Sequence, residues 1–168
     1  LAICPRLAEP VRAACDRYDF QTLFHSVNEF LTVDLSAFYL DVSKDRLYTL
    51  PADSAERRSA QTAQYVIADG LTRLLAPILS FTAEEIWGRL PGSREESVHM
   101  ALFPADTARW RDHDLEERWS RLLEVRRTVY GALETARNAK TIGASLTAHV
   151  RISAPGETFD LLERHEAD

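Results

Sequence analysis

Apolar residues recur three and four apart along one stretch of the chain: Ala60, Ala63, Ile67, Leu71, Leu74 and Leu75. That period lays all six on one face of an α-helix and cannot be reconciled with the two-residue alternation of a strand. Pro77 closes the pattern, since proline has no N–H to donate and its ring clashes with the preceding turn. The same period runs through Phe20, Leu23, Phe24, Val27 and Leu31. It returns in Leu115, Trp119, Leu122, Val129, Leu133 and Ala136, a span of roughly six turns. A helix with one apolar face must bury that face against another element, so the chain is read as all-α. With mostly short connections, the expected architecture is an antiparallel helix bundle.

The remaining elements follow from local signals. Ala8 to Tyr18 reads as a helix with Pro10 in its first turn, where proline is tolerated. Ser36 to Lys44 reads as a short helix ending before the turn residues Pro51-Ala52-Asp53-Ser54. Gly70, inside the clearest helix, is expected to let another helix approach. Thr82-Ala83-Glu84-Glu85 has the form of a capping box, with Thr82 accepting from the amide of Glu85 and Glu85 reaching back. Pro91-Gly92-Ser93 ends that helix, and Ser97 to Phe103 reads as extended or loop-like. Asp114-Leu115-Glu116-Glu117 opens the last long helix in the same way, and Gly143 breaks it. Ala148 to Ile152 alternates as a strand does, and Thr158 to His165 suits a final short helix. The expected division is a helical body over 1–142 and, over 143–168, the truncated start of a small C-terminal α/β unit.

Composition removes several classes of function. No run approaches the roughly 20 apolar residues needed to cross a bilayer, and the N-terminus has no signal-peptide pattern. It also lacks an initiator methionine, as expected of a piece of a longer chain. Cys4 and Cys15 have no partners at zinc-ligand spacing and are read as buried or idle thiols, consistent with a reducing cytoplasm. The five histidines are scattered. No phosphate-binding glycine loop and no nucleophile elbow occur. Glu84-Glu85 and Glu95-Glu96 are sequence neighbours that point apart on a helix, so no catalytic residue and no metal ligand is assigned. The formal net charge of −6 is opposite to that of a generic nucleic-acid binder. Charge is unevenly spread, however. From Arg126 to Arg151 five basic residues face one acid, Glu134, while from Glu84 to Glu117 nine acids face four basic residues. A locally positive surface on an acidic protein and an ordinary solvated helix face both fit this pattern.

Three stretches decide between those readings. The first is Asp34-Leu35-Ser36-Ala37-Phe38-Tyr39-Leu40-Asp41-Val42-Ser43-Lys44-Asp45-Arg46-Leu47-Tyr48. The second is Arg57-Arg58-Ser59-Ala60-Gln61-Thr62, continued by Leu75-Ala76-Pro77-Ile78-Leu79-Ser80-Phe81-Thr82-Ala83-Glu84-Glu85-Ile86-Trp87. The third comprises Val125-Arg126-Arg127, Leu133-Glu134-Thr135-Ala136-Arg137 and Lys140-Thr141-Ile142-Gly143-Ala144-Ser145-Leu146. Together they resemble the anticodon-binding domain of isoleucyl-tRNA synthetases, from Arg6 to about Ile152. The second stretch is shared with the wider valyl, leucyl and isoleucyl group, and the first and third favour the isoleucyl branch. Thr147 departs from the acidic residue often found after Ser-Leu in that family.

The resemblance implies a parent that attaches isoleucine to tRNA(Ile) using ATP and Mg, with catalytic and editing domains elsewhere. Neither the His-x-Gly-His nor the Lys-Met-Ser-Lys-Ser element is present, and the one methionine, Met100, lies in His99-Met100-Ala101. No cofactor is assigned to these residues. The implied partners are the tRNA(Ile) anticodon stem-loop and the parent's own catalytic domain, which the Arg6 to Arg17 region could face. A single-stranded loop is read by stacking its bases on aromatic or guanidinium planes and by contacting its phosphates. The residues assigned to RNA are Lys44, Arg46, Tyr48, Arg57, Arg58, Arg137 and Lys140. Arg46 or Arg58 could instead pair with Asp41, Asp45 or Asp53. Trp87, Phe81, Phe38, Tyr39 and Trp119 are expected in the core. The alternatives are a stand-alone helical interaction module without RNA, and the equivalent domain of a valyl-tRNA synthetase.

Overall fold

A computed structural model describes residues 3–105 and 111–165, with side chains from residue 7 onward. Seven α-helices and no strand occur among the described residues. They fall into two compact units, Leu1–Arg111 and Asp112–Asp168. None of the described helices is long and apolar enough to cross a membrane.

In the first unit, α1 (Ile3–Asp16) packs on α2 (Phe20–Glu29) and on α4 (Ala55–Leu75). The core they share includes Leu7, Val11, Leu23, Val27, Ile67 and Leu74. Pro10 lies inside α1 and not in its first turn, because the helix begins at Ile3. An interior proline costs about 3 kcal/mol. Burying Leu7 and Val11 contributes about 1.5–3 kcal/mol each, enough to hold the helix through it.

Beyond α2 the chain continues as a π-helical segment, Phe30–Leu40, where a short separate helix from Ser36 was expected. Val27, Leu31, Leu35 and Tyr39 lie four apart and all meet the core. A wider turn keeps such a row on one face. Thr32 Oγ1 donating to the carbonyl of Asn28 and Ser43 Oγ donating to that of Tyr39 flank the segment, and such back-bonding bends helices.

Helix α4 ends at Leu75, as the position of Pro77 requires. Gly70 faces Pro104, 3.8 Å from where its Cβ would stand, so a loop and not a second helix approaches there. Helix α5 (Ser80–Trp87) starts earlier than the capping box implied. Leu79 holds the N-cap position, because the chain leaving α4 turns through Ile78 and Leu79 onto the carbonyl of Leu75. Glu85 pairs with Arg89, while Glu84 accepts from Ser97 Oγ and the amide of Val98. The bonds of Glu84 tie α5 to the short 3-10 turn Val98–Met100, within the stretch expected to be extended or loop-like. Trp87 is buried there, its Nε1 donating to the carbonyl of Glu95. Phe81, expected in the core, is 94% exposed.

In the second unit, α6 (His113–Asn138) is capped by Asp112, whose carboxylate accepts from the amide of Leu115. Asp114 lies within its first turn and does not cap it. Trp119 remains 37% exposed, contrary to the core position expected. Residues 148–152 form no strand, for no second strand exists among the described residues to pair with them. The expected α/β unit is therefore not seen. Instead α7 (Gly156–Arg164) packs on α6 and buries Leu161.

Candidate nucleic-acid interface

Directly after the π segment, Ser43 is buried and the chain forms one short helix, α3 (Lys44–Tyr48), packed on α4. Three assigned residues sit on α3. Lys44 Nζ lies 2.8 Å from Asp41 Oδ1, both exposed, and that carboxylate holds the ammonium above the ordinary lysine range. Tyr48, four residues on, occupies the same side of the helix. It is 81% exposed and makes no hydrogen bond or ring contact among the described residues. Arg46 is exposed, with no hydrogen bond or ion pair to any described residue.

The turn after α3 brings the chain to α4, whose N-cap Ser54 accepts from the amide of Arg57. Arg57 is half-buried, and its Nη1 donates to the carbonyl of Leu50 at 2.8 Å. Its guanidinium clamps the turn, while Arg58 beside it is exposed and unpaired among the described residues. Lys44, Arg46, Tyr48, Arg57 and Arg58 therefore share the α3–α4 corner of the first unit. The ion pairs considered for Arg46 and Arg58 do not form, and Lys44 takes Asp41 instead. Sequence charge there is balanced: Lys44, Arg46, Arg57 and Arg58 against Asp41, Asp45, Asp53 and Glu56.

Arg137 and Lys140 belong to the second unit, at the end of α6. Arg137 Nη1 lies 2.9 Å from Glu134 Oε1. Lys140 has φ +57°. Its amide donates to the carbonyl of Arg137 and that of Thr141 to the carbonyl of Ala136, the paired bonds of a Schellman C-terminus. Lysine thus fills the left-handed position where glycine is usual, and its side chain is exposed. Farther up α6, the Arg126 guanidinium stands 4.5 Å from the centroid of Tyr130. That pair was not singled out from sequence, although Arg and Tyr at i and i+4 on a helix are neighbours.

Other features offer less to a nucleic acid. A cavity of about 280 Å³ between the π segment, α4 and α5 is lined by Leu31, Leu71, Leu75 and Ile86 among others and is almost wholly apolar. Cys15 is half-buried, and burial pushes its thiol up, away from reactive thiolate character.

The α3–α4 corner thus presents Arg46, Arg58 and Tyr48 to solvent, two cations beside an exposed aromatic ring. The chain belongs to the family of anticodon-binding domains of tRNA ligases, which it matches over residues 1–152. Among its relatives are isoleucine–tRNA ligases of several bacteria. It is 54% identical over 166 residues to that of Syntrophotalea carbinolica, which covers 98% of this chain and 18% of the relative. With that of Geobacter sulfurreducens it shares 48% over 162 residues, 96% of this chain and 17% of the relative. With that of Halorhodospira halophila it shares 53% over 150 residues, 86% and 15%. The chain thus spans less than a fifth of the length of these curated relatives.

Proposed function

We propose that these residues are the tRNA-reading part of an isoleucine–tRNA ligase and bind the anticodon stem-loop of tRNA(Ile). The observation that carries the reading is the 54% identity to an isoleucine–tRNA ligase across nearly the whole chain. Lys44, Arg46 and Arg58 supply phosphate contacts and Tyr48 a stacking plane, with Arg137 and Lys140 adding charge from α6. Arg57 serves by fixing the turn between α3 and α4. Stacking is worth about 1–3 kcal/mol per base, so a few such contacts discriminate between anticodons without a basic protein overall.

Joining isoleucine to the tRNA, with ATP and Mg, belongs to other parts of the longer ligase, whose catalytic domain is the second partner; its place of work is the cytoplasm. The direct test titrates this chain with stem-loop RNAs carrying isoleucine, valine or scrambled anticodons. Tighter binding of the isoleucine loop is expected. Equal affinity for all three would remove the anticodon role, and preference for the valine loop would move the chain to the valyl branch.

A further inference from the structure

We propose that Ser43 is a positioning residue for RNA: buried at the joint between the π segment and α3, it fixes the rotation of α3 and with it the outward presentation of Lys44 and Tyr48. The inference rests on the tRNA reading above and adds to the α3–α4 corner a residue that itself touches no RNA.

Spacing is the first observation. Val27, Leu31, Leu35 and Tyr39 meet the core at every fourth place. The next two places in that row are Ser43, which is buried, and Leu47, which is half-buried. Lys44, Arg46 and Tyr48, outside the row, are exposed. Serine thus stands where burial alone would be served by an aliphatic side chain, and a buried hydroxyl needs a partner.

The second is where that hydroxyl goes. Ser43 holds the N-cap position of α3, and a serine there ordinarily accepts from an amide of the helix's first turn. Here its side chain makes no capping bond. Its Oγ donates backward to the carbonyl of Tyr39 at 2.6 Å, and its amide donates to the same oxygen at 3.1 Å. The backbone of Ser43 is helical, with φ −83° and ψ −10°, and its carbonyl accepts from the amide of Leu47. Helical dihedrals therefore run through the joint, and the side chain of Ser43 ties α3 to a residue of the core. Back-bonding of this kind bends a helix at a set place.

The third is register. Phe30–Leu40 runs for 11 residues in π geometry, where most π turns are single. With about one residue more per turn than the roughly 3.6 of an α-helix, such a run lags an α-helical one by roughly half a turn. The direction in which Lys44 and Tyr48 face is accordingly set by where the π register gives way. The bonds from Ser43 to Tyr39, four residues back, have α spacing and fix that place. Beyond the other end of α3, the Arg57 guanidinium holds the carbonyl of Leu50. A five-residue helix cannot hold its own direction, so these two ties supply it. An ammonium and a ring already held in place cost less to order when a ligand binds.

The test uses the 168-residue chain and a stem-loop RNA with the isoleucine anticodon. Ser43→Ala keeps a small side chain that suits a helix and removes the tie. Its melting temperature should stay near that of the unsubstituted chain, while RNA binding weakens by about 3- to 10-fold. Ser43→Thr, which can make the same backward bond, should bind within about twofold of the unsubstituted chain. In a Lys44→Ala/Tyr48→Ala background, Ser43→Ala should change affinity by less than about twofold, because nothing is left to position, whereas damage to the fold at large would add in full. The proposal is overturned if Ser43→Ala binds normally while Lys44→Ala/Tyr48→Ala does not, and the tRNA reading then stands without Ser43. It is overturned as well if Ser43→Ala melts far below the unsubstituted chain, if it weakens binding as much in the doubly substituted background, or if Ser43→Thr loses as much as Ser43→Ala. If Lys44→Ala/Tyr48→Ala itself binds normally, the α3 assignment falls and this inference with it, while the tRNA reading survives through other residues. If the unsubstituted chain fails to bind the stem-loop at all, both fall together.

Discussion

At the first turn of α4, Arg57 donates to the carbonyl of Leu50 while the next side chain, Arg58, stands in solvent without a partner among the described residues. Two adjacent arginines that look alike in sequence should therefore separate cleanly by experiment. Arg57→Ala removes the clamp and is expected to cost about 1–2 kcal/mol, read as a lowered urea midpoint. Arg58→Ala should leave stability within about 0.5 kcal/mol and weaken RNA binding instead. A stable Arg57→Ala variant would mean the turn holds itself. Lys140 poses the opposite case, for its backbone carries the cost. A lysine at φ +57° forgoes about 1 kcal/mol that glycine would keep. Lys140→Gly should raise the melting temperature accordingly, with weaker RNA binding as the counterpart. If Lys140→Gly is neutral in stability, the left-handed position is not strained.

Among the elements, α2 shows how a cap can make a helix respond to pH. The Asp19 carboxylate accepts from the amide of Thr22, and hydrogen bonding by the Thr22 side chain, followed by that amide, holds its carboxyl below the usual range. A depressed folded pKa means the cap is fully present above the ordinary carboxyl pKa and is lost as pH falls through the lowered value. Asparagine caps about as well as aspartate and does not titrate. Asp19→Asn should match the unsubstituted chain near neutrality and lose less α2 protection near about pH 3, as read by amide hydrogen exchange. Identical acid behaviour of the two proteins would rule the cap out as the titrating element. The elements also differ in how far sequence disclosed them. The row from Ala60 to Leu75 stated α4 plainly, since one period and one proline define its face and end. The π segment was hidden because its apolar row, spaced by four, fits either helix type; hydrogen-bond register is not written in hydrophobic spacing. Thr82 to Glu85 had the letters of a cap, yet the turn onto the carbonyl of Leu75 starts α5 earlier. Tertiary context likewise overrode the alternation at residues 148–152, for a strand needs a partner. At the candidate interface, the α3 stretch was marked by the family resemblance, whereas the inward turn of Arg57 and the contact of Arg126 with Tyr130 depend on side-chain directions no motif records.

For the whole molecule, a formal charge of −6 means that long-range attraction to RNA is weak and that binding depends on a few local cations. Such contacts release counterions, so log affinity should fall with log salt by about 0.7 per phosphate neutralised on a single strand. If Arg137 and Lys140 each meet one phosphate, replacing both by glutamine should flatten the salt slope by about 1.4. The control is Arg89→Gln. Its guanidinium pairs with Glu85 on the exposed side of α5, outside the assigned surface, and neutralising it changes the net charge in the same direction. The slope should then stay as it was. Equal flattening by Arg89→Gln would show that RNA responds to total charge and not to position, and the assigned cations would lose their standing as contacts. Titrations of stem-loop RNA at several salt concentrations separate the two, because a general field acts through every charge while a phosphate contact is lost only with the residue that makes it.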